Sequence, residues 1–195
     1  LGLALDGHGL GLDGESWGGE LLLVEGARFQ RLGHLAPLAL PGGDRAAREP
    51  WRMAAAALHK LGRGAEVPGR FPEEPMAADL VQLLDGDQVG TSTAAGRLFD
   101  AAATIICDLP RTSFEAQGPM QLEALCKSHA DPLDLPLTED ANGVLRSDWQ
   151  PLLALLADDS VDPTRRAELF HASMAGAILA QARTARTRHD VVRVG

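Results

Sequence analysis

The stretch from Leu3 to Glu20 limits what this chain can fold into more than any other part of it. The apolar run Leu3-Ala4-Leu5 ends in Asp6, and glycine then takes every second position from Gly7 to Gly11. Asp13-Gly14 follows, and Trp17-Gly18-Gly19-Glu20 leads into Leu21-Leu22-Leu23-Val24. The pattern predicts a buried strand over 2–6, a tight glycine-rich turn, and a second strand over 16–25. A backbone without Cβ atoms reaches positive φ and lets a ligand come close. Acids at a strand end and in a turn could hold a metal or orient a metal-bound phosphate. Taken alone, the same residues are equally a flexible hairpin with a strand-ending acid.

Glu25-Gly26 makes the next turn, and 27–33 alternates as a third strand with Phe29 on one face, completing an antiparallel meander. The loop from Leu38 to Asp44 opens a helix over 46–61 that Asp44 caps. Pro50 kinks this helix or restarts it after Glu49, and Gly62 and Gly64 end it. The Pro-rich piece 67–75 reads as a surface connection, and 76–84 as a short amphipathic helix. Thr91-Ser92-Thr93 precede a helix from Ala94 to Cys107 with a small-residue face. A helix over 115–129 is expected to break at Gly118-Pro119, and 134–146 to form a hairpin turning at Asn142-Gly143. Asp148 caps a helix to Leu156, and Pro163 starts the longest helix, about 163–186, packed through Phe170, Met174 and Ala177. Residues 190–194 return as a strand. The expected plan is α/β: a β-meander over 1–36, a mostly helical insertion with a small hairpin over 37–160, and a long helix with a returning strand over 161–195. Leu1 is not Met and both ends are strand-like, so truncation at both ends is expected.

A net charge of −9 disfavours nucleic acid and anionic membrane surfaces as partners. No apolar run approaches a membrane span, and no basic-then-apolar leader opens the chain. Cys107 and Cys126 fit neither a disulfide framework nor a zinc ribbon; they suit small buried thiols in a reducing cytoplasm.

Four separated blocks point one way. They are Leu5 to Gly14 with Trp17-Gly18-Gly19-Glu20; Ala39 to Asp44 with Glu49-Pro50-Trp51-Arg52; Thr91-Ser92 with Gly96-Arg97-Leu98-Phe99-Asp100; and Glu115-Ala116-Gln117 with Leu122-Glu123, followed by Phe170-His171. Together they closely resemble the HypF carbamoyltransferases of hydrogenase maturation, and within them the C-terminal TsaD-like domain, over essentially the whole chain. The resemblance implies an actin-like, ribonuclease-H-like nucleotide-binding fold, of which this chain is most of the second half. It implies that an acylphosphatase-like and a YrdC-like domain of the same polypeptide convert carbamoyl phosphate and ATP into carbamoyl-AMP. The carbamoyl group then passes to a C-terminal cysteine of HypE, the route to a cyanide ligand of the nickel–iron centre.

The resemblance also assigns residues. Asp6 becomes one ligand of a divalent metal, iron or zinc, whose other ligands lie outside this chain; a lone carboxylate cannot hold such an ion. Gly7, Gly9 and Gly11 would turn backbone N–H groups toward phosphate oxygens. Gly96 and Asp100, four apart at a helix start, would meet the ribose of an ATP- or AMP-type nucleotide, with Arg97 on Asp100 or on a phosphate. His8 reads as an exposed turn residue, and Asp13 as a second turn acid. Glu115 and Gln117 are candidates for binding the carbamoyl amide, and His171 for a catalytic role, with capping and core packing as the competing assignments. No Ser–His–Asp arrangement is legible, so a serine acyl-enzyme is not expected. Two alternatives stay open: a non-catalytic nucleotide-binding and docking module of the same assembly, and an O-carbamoyltransferase acting on a small-molecule hydroxyl.

Overall fold

The computed structural model describes residues 1–86, 88–189, 191, 193 and 195. Three long strands open the chain: β1 (Gly2–Leu10), β2 (Ser16–Glu25) and β3 (Arg28–Leu35). A short β4 (Leu38–Ala39) leads to the helices α1 (Arg45–Arg48), α2 (Trp51–Lys60), α3 (Val67–Arg70) and α4 (Ala77–Leu84). Then follow β5 (Thr91–Ser92), α5 (Ala95–Cys107), α6 (Gln117–Leu125), the hairpin β6 (Leu137–Glu139) and β7 (Leu145–Ser147), α7 (Gln150–Leu156) and α8 (Pro163–His189). All strands join one mixed sheet in the order β4-β5-β2-β3-β7-β6, with β1 paired to β2. The meander is antiparallel, while β5 joins β2 and β7 joins β3 in parallel. The α/β architecture expected from the sequence is therefore present, and the hairpin is part of the main sheet.

Burial explains the helical layer. Every residue of α2 from Trp51 to Leu58 is buried, including four consecutive alanines. Alanine costs little side-chain entropy in a helix and permits close backbone approach. α5 repeats the device with Ala101, Ala102 and Ala103, and the two helices pack into one core with Leu35, Leu98, Trp149 and Phe170. Trp149 donates its indole N–H to the Ala36 carbonyl at 2.6 Å, tying the start of α7 to the end of β3. Behind the meander, Ala182 and Ala185 of α8 lie on Leu21 and Leu32. Gln181 crosses from α8 to donate to the His34 carbonyl and the Ser147 hydroxyl, at 2.9 and 2.8 Å, so one buried side chain holds β3, β7 and α8 together. No helix among the described residues is long and apolar enough to cross a membrane.

Several local expectations are corrected. β1 is not a short buried strand ending at Asp6: it runs through the glycines to Leu10, and Ala4, Leu5 and Asp6 are exposed. A register irregularity between Leu5 and Gly9 lets the strand bend while it stays on β2. The turn is confined to 11–15, and positive φ occurs at Gly14 and Gly18 and not at Gly7, Gly9 or Gly11. Asp44 stands before α1 but makes no side-chain cap; its backbone is already helical, and the carbonyls of Gly42 and Gly43 take the first helical N–H groups. Pro50 does restart the helix, as α2. The stretch 67–75 is no surface connection, because Val67 and Phe71 fall on one face of α3 and bury against Trp51, ring centroids 6.0 Å apart for Phe71. Gly118-Pro119 does not interrupt α6 but sits in its first turn, where proline's missing N–H costs nothing. The returning strand expected at 190–194 falls largely outside the described residues. Gly195 does exchange backbone hydrogen bonds with the start of the chain: Leu3 N in β1 donates to its carbonyl at 2.7 Å, and its own N–H donates to Leu1 O, just before β1, at 2.9 Å.

Candidate functional site

The tight corner where β1, β2 and the start of α5 meet is built on glycine. A Cβ on Gly96 would lie 2.6 Å from Gly7 Cα and 3.3 Å from the Asp6 carbonyl oxygen. Backbone thus packs on backbone, and α5 begins directly against β1. On the other side, Gly18 has φ +150°, and a Cβ there would meet the Asp6 carbonyl at 2.7 Å and Ala94 Cβ at 2.9 Å.

A buried carboxylate locks this corner. Glu20 is 1% exposed. It accepts from the Gly18 and Gly19 N–H groups at 2.5 and 2.7 Å, from Arg31 Nη2 at 2.8 Å, and from the Thr93 hydroxyl. Arg31 in turn stacks over Trp17, its guanidinium carbon 4.2 Å from the ring centroid. Trp17 donates its indole N–H to Asp13 at 3.1 Å, which places the turn acid in a structural role. A charge so far from water is tolerated because every bond it makes is with a strong donor. Its partners come from β2, β3 and the loop before α5. Ser92 shapes the loop ahead of α5: its Oγ accepts from Ala94 N at 3.1 Å.

Beside the corner lies a largely apolar cavity of about 460 Å³. Asp6 and Leu5 from β1, Gly96 and Phe99 from α5, Pro119 from α6, and His171 and Met174 from α8 line it. Three residues singled out from separate sequence blocks, Asp6, Gly96 and His171, therefore meet at one cavity. The Asp6 carboxylate is exposed and accepts from Gly7 N at 2.6 Å.

Asp100 lies one helical turn below Gly96. It is 5% exposed, so it is no solvated surface acid. Arg97 Nη2 stands 3.0 Å from its Oδ2, but off the line a hydrogen bond needs. Among the described residues both Asp100 Oδ2 and Arg97 Nε are buried without a hydrogen-bond partner. Burial pushes the Asp100 carboxyl up to about 6, against the pull of the Arg97 charge. Arg97 also reaches β1, with Nη2 3.2 Å from where a Gly7 Cβ would be. The pair is an under-satisfied polar element beneath the glycine contact.

The remaining candidates fall elsewhere. Gly9 faces the Trp17 backbone, and Gly11 packs on the Trp17 indole, so both serve the hairpin and do not line the cavity. His8 is exposed near the end of β1 and pairs with the Ser16 hydroxyl at 2.9 Å. Glu115 is exposed before α6. Gln117 accepts from Ser113 N at 2.7 Å and caps its own loop. Among the described residues no three His, Cys, Asp or Glu side chains are placed to hold a metal ion. Within the described residues Asp6 offers one carboxylate and stands in no such group. Glu20, Arg31 and Thr93 were not anticipated. The available signal was a glutamate flanked by Gly-Gly and four apolar residues, a charge inside a buried strand.

Comparison with known proteins gives the same picture. A family model described as the carbamoyltransferase Kae1-like domain, second subdomain, matches residues 2–195. A carbamoyltransferase HypF homolog of Cupriavidus necator is 43% identical over 206 aligned residues, covering 100% of this chain and 52% of that protein. Carbamoyltransferase HypF2 of the same organism is 55% identical over 130 residues, 66% of this chain and 16% of that protein. The chain thus spans about half or less of the length of these relatives. The fold superposes on crystalline full-length HypF, in its phosphate- and nucleotide-bound form, with a TM-score of 0.87 at 23% identity, over 99% of this chain and 26% of that one. By sequence match and by fold, this chain belongs to the HypF carbamoyltransferase family, as the second subdomain of its Kae1-like domain.

Proposed function

We propose that this chain forms one wall of a carbamoyl-transfer site in nickel–iron hydrogenase maturation. The donor is carbamoyl-AMP, made from carbamoyl phosphate and ATP by acylphosphatase-like and YrdC-like domains of the same polypeptide. The acceptor is the C-terminal cysteine of HypE. The observation that carries this reading is the convergence of Asp6, Gly96 and His171 at one cavity, with the under-satisfied Asp100 one helical turn from Gly96.

The geometry supports a division of labour. Gly96 sets the start of α5 backbone to backbone on β1 at the edge of that cavity, so no side chain at that position narrows the space for a nucleotide. Asp100, ionised above its shifted range, keeps an oxygen that Arg97 faces at 3.0 Å without hydrogen-bonding; a ribose hydroxyl bonded there would repay part of its desolvation. The glutamate lock fixes β2 to β3 and to the loop that enters α5, so the start of that helix needs little rearrangement on binding. A divalent metal, iron or zinc, would take Asp6 as one ligand and the others from outside these residues.

The test uses the full-length gene product with labelled carbamoyl phosphate, ATP and HypE. Wild type should form AMP and pyrophosphate and label HypE. Asp6→Ala and Asp100→Ala should lose transfer while leaving the fold intact. If both variants transfer at the wild-type rate, the chain is a docking module and the site reading is wrong. Label on a small-molecule alcohol in place of HypE would favour O-carbamoyl transfer.

A further inference from the structure

His171 separates two hollows. One is the cavity of about 460 Å³ that holds Asp6 and Gly96. The other, about 510 Å³, lies between the loop after α6 and the N-terminal half of α8 and is lined by Glu123, Cys126, Ser128, Glu168 and His171 itself. The first is mostly apolar and faces the glycine surface; the second carries charged and hydroxyl side chains.

The imidazole is held firmly. Phe99 and Phe170 meet it edge-on, with ring centroids 5.5 and 5.8 Å away. Its Nδ1 lies 2.9 Å from the Ala167 carbonyl oxygen, one turn back on α8, and 3.5 Å from Cys126 Sγ. A carbonyl can only accept, so Nδ1 carries the proton in the neutral ring and donates it to Ala167. Nε2 is then the bare nitrogen, and it makes no hydrogen bond among the described residues. The Cys126 thiol next to it does not compete for that role: burial, with Glu168 and Glu123 nearby, pushes its ionisation up.

We propose that His171 is the proton acceptor for the incoming nucleophile in carbamoyl transfer, at the seam between a donor cavity and an acceptor cavity. This rests on the transferase reading above. The acceptor thiol enters from the second hollow, and the carbamoyl–phosphoric anhydride occupies the first. As sulfur bonds to the carbamoyl carbon, Nε2 takes the thiol proton and the carbon–oxygen bond to phosphorus breaks. The nucleotide leaves as its phosphomonoester. A thiol is mostly un-ionised at neutral pH, so a positioned base is worth about 100-fold or more in rate.

The test uses the full-length gene product and separates two steps: carbamoyl-phosphate-dependent AMP formation, and label transfer to HypE. His171→Ala should leave AMP formation within a few-fold of wild type and lower the transfer kcat about 100-fold. Added imidazole should restore transfer in a concentration-dependent way, which a purely structural loss would not allow. His171→Gln, which keeps the packing but cannot take a proton at that position, should be as impaired as the alanine variant. Transfer by His171→Gln at the wild-type rate, or an alanine variant that imidazole does not rescue, would overturn the assignment. Absence of transfer in wild type would instead overturn the transferase reading, and the assignment with it.

Discussion

Adding one methyl group at Gly96 should damage this protein, whereas the same change at Gly69 should improve it. A Cβ at Gly96 lies 2.6 Å from Gly7 Cα and 3.2 Å from Gly7 N. Carbon–carbon contact is comfortable near 3.5–4.0 Å, so β1 must retreat by roughly 1 Å. The obstacle is strand backbone, which cannot rotate aside, and β1 is held to β2 on both sides of its irregularity. Overpacking of this kind costs about 1–3 kcal/mol. Gly69 is exposed in α3, has ordinary φ, and its Cβ would meet nothing within 4 Å. There alanine removes unfolded-state entropy and should add about 0.4–1 kcal/mol. Thermal and urea unfolding of the two variants should therefore move in opposite directions. Nucleotide affinity, read by calorimetry, should fall for Gly96→Ala and stay unchanged for Gly69→Ala. A Gly96→Ala protein as stable as wild type, with unaltered affinity, would refute the backbone-contact reasoning.

Asp100 makes stability depend on pH. Its folded-state carboxyl is raised from 3.8 to about 6, so its contribution is greatest below about 4 and is lost as pH rises through about 6. The stability of wild type relative to Asp100→Asn should fall by about 2 kcal/mol between pH 4 and 7, and a difference flat across that range would exclude a buried titrating carboxyl. Glu20→Gln leaves Arg31 without its buried counter-charge and should cost about 3–5 kcal/mol in urea unfolding. A loss below 1 kcal/mol would mean that the lock at this corner is not energetic.

Much of the fold was legible because its signals are local. The meander follows from Gly14 and Gly26 between apolar runs, α2 restarts at Pro50, and α8 begins at Pro163. Local chemistry misleads where tertiary packing overrides it. Val67 and Phe71 looked like loop residues among prolines, yet their one-turn spacing lets them bury against Trp51. Asp44 had the composition of a cap, but two positive-φ glycines had already shaped the turn. Gly7 and Gly9 have the composition of a turn but lie in β1, where Gly96 of α5 must stay small because it rests on the Gly7 backbone. At the site, motif order drew attention to Asp6, Gly96 and His171, and the fold brings them to one cavity. Glu20 escaped notice because its worth lies in Arg31 and Thr93, which no sequence spacing connects to it.

That glutamate also bears on how the chain folds. Its hydroxyl partner is 73 residues away along the sequence, and its guanidinium partner belongs to a different strand. Until the loop before α5 has arrived, a folding meander holds a carboxylate whose partners are incomplete and whose burial is unfavourable. The corner is then an all-or-none event, closed late and at the cost of a long loop. The amides of Gly18 and Gly19 would consequently be among the last to exchange with solvent, opening only when the whole domain does. A chain interrupted between β3 and α5 would carry every motif of the site and still not assemble it.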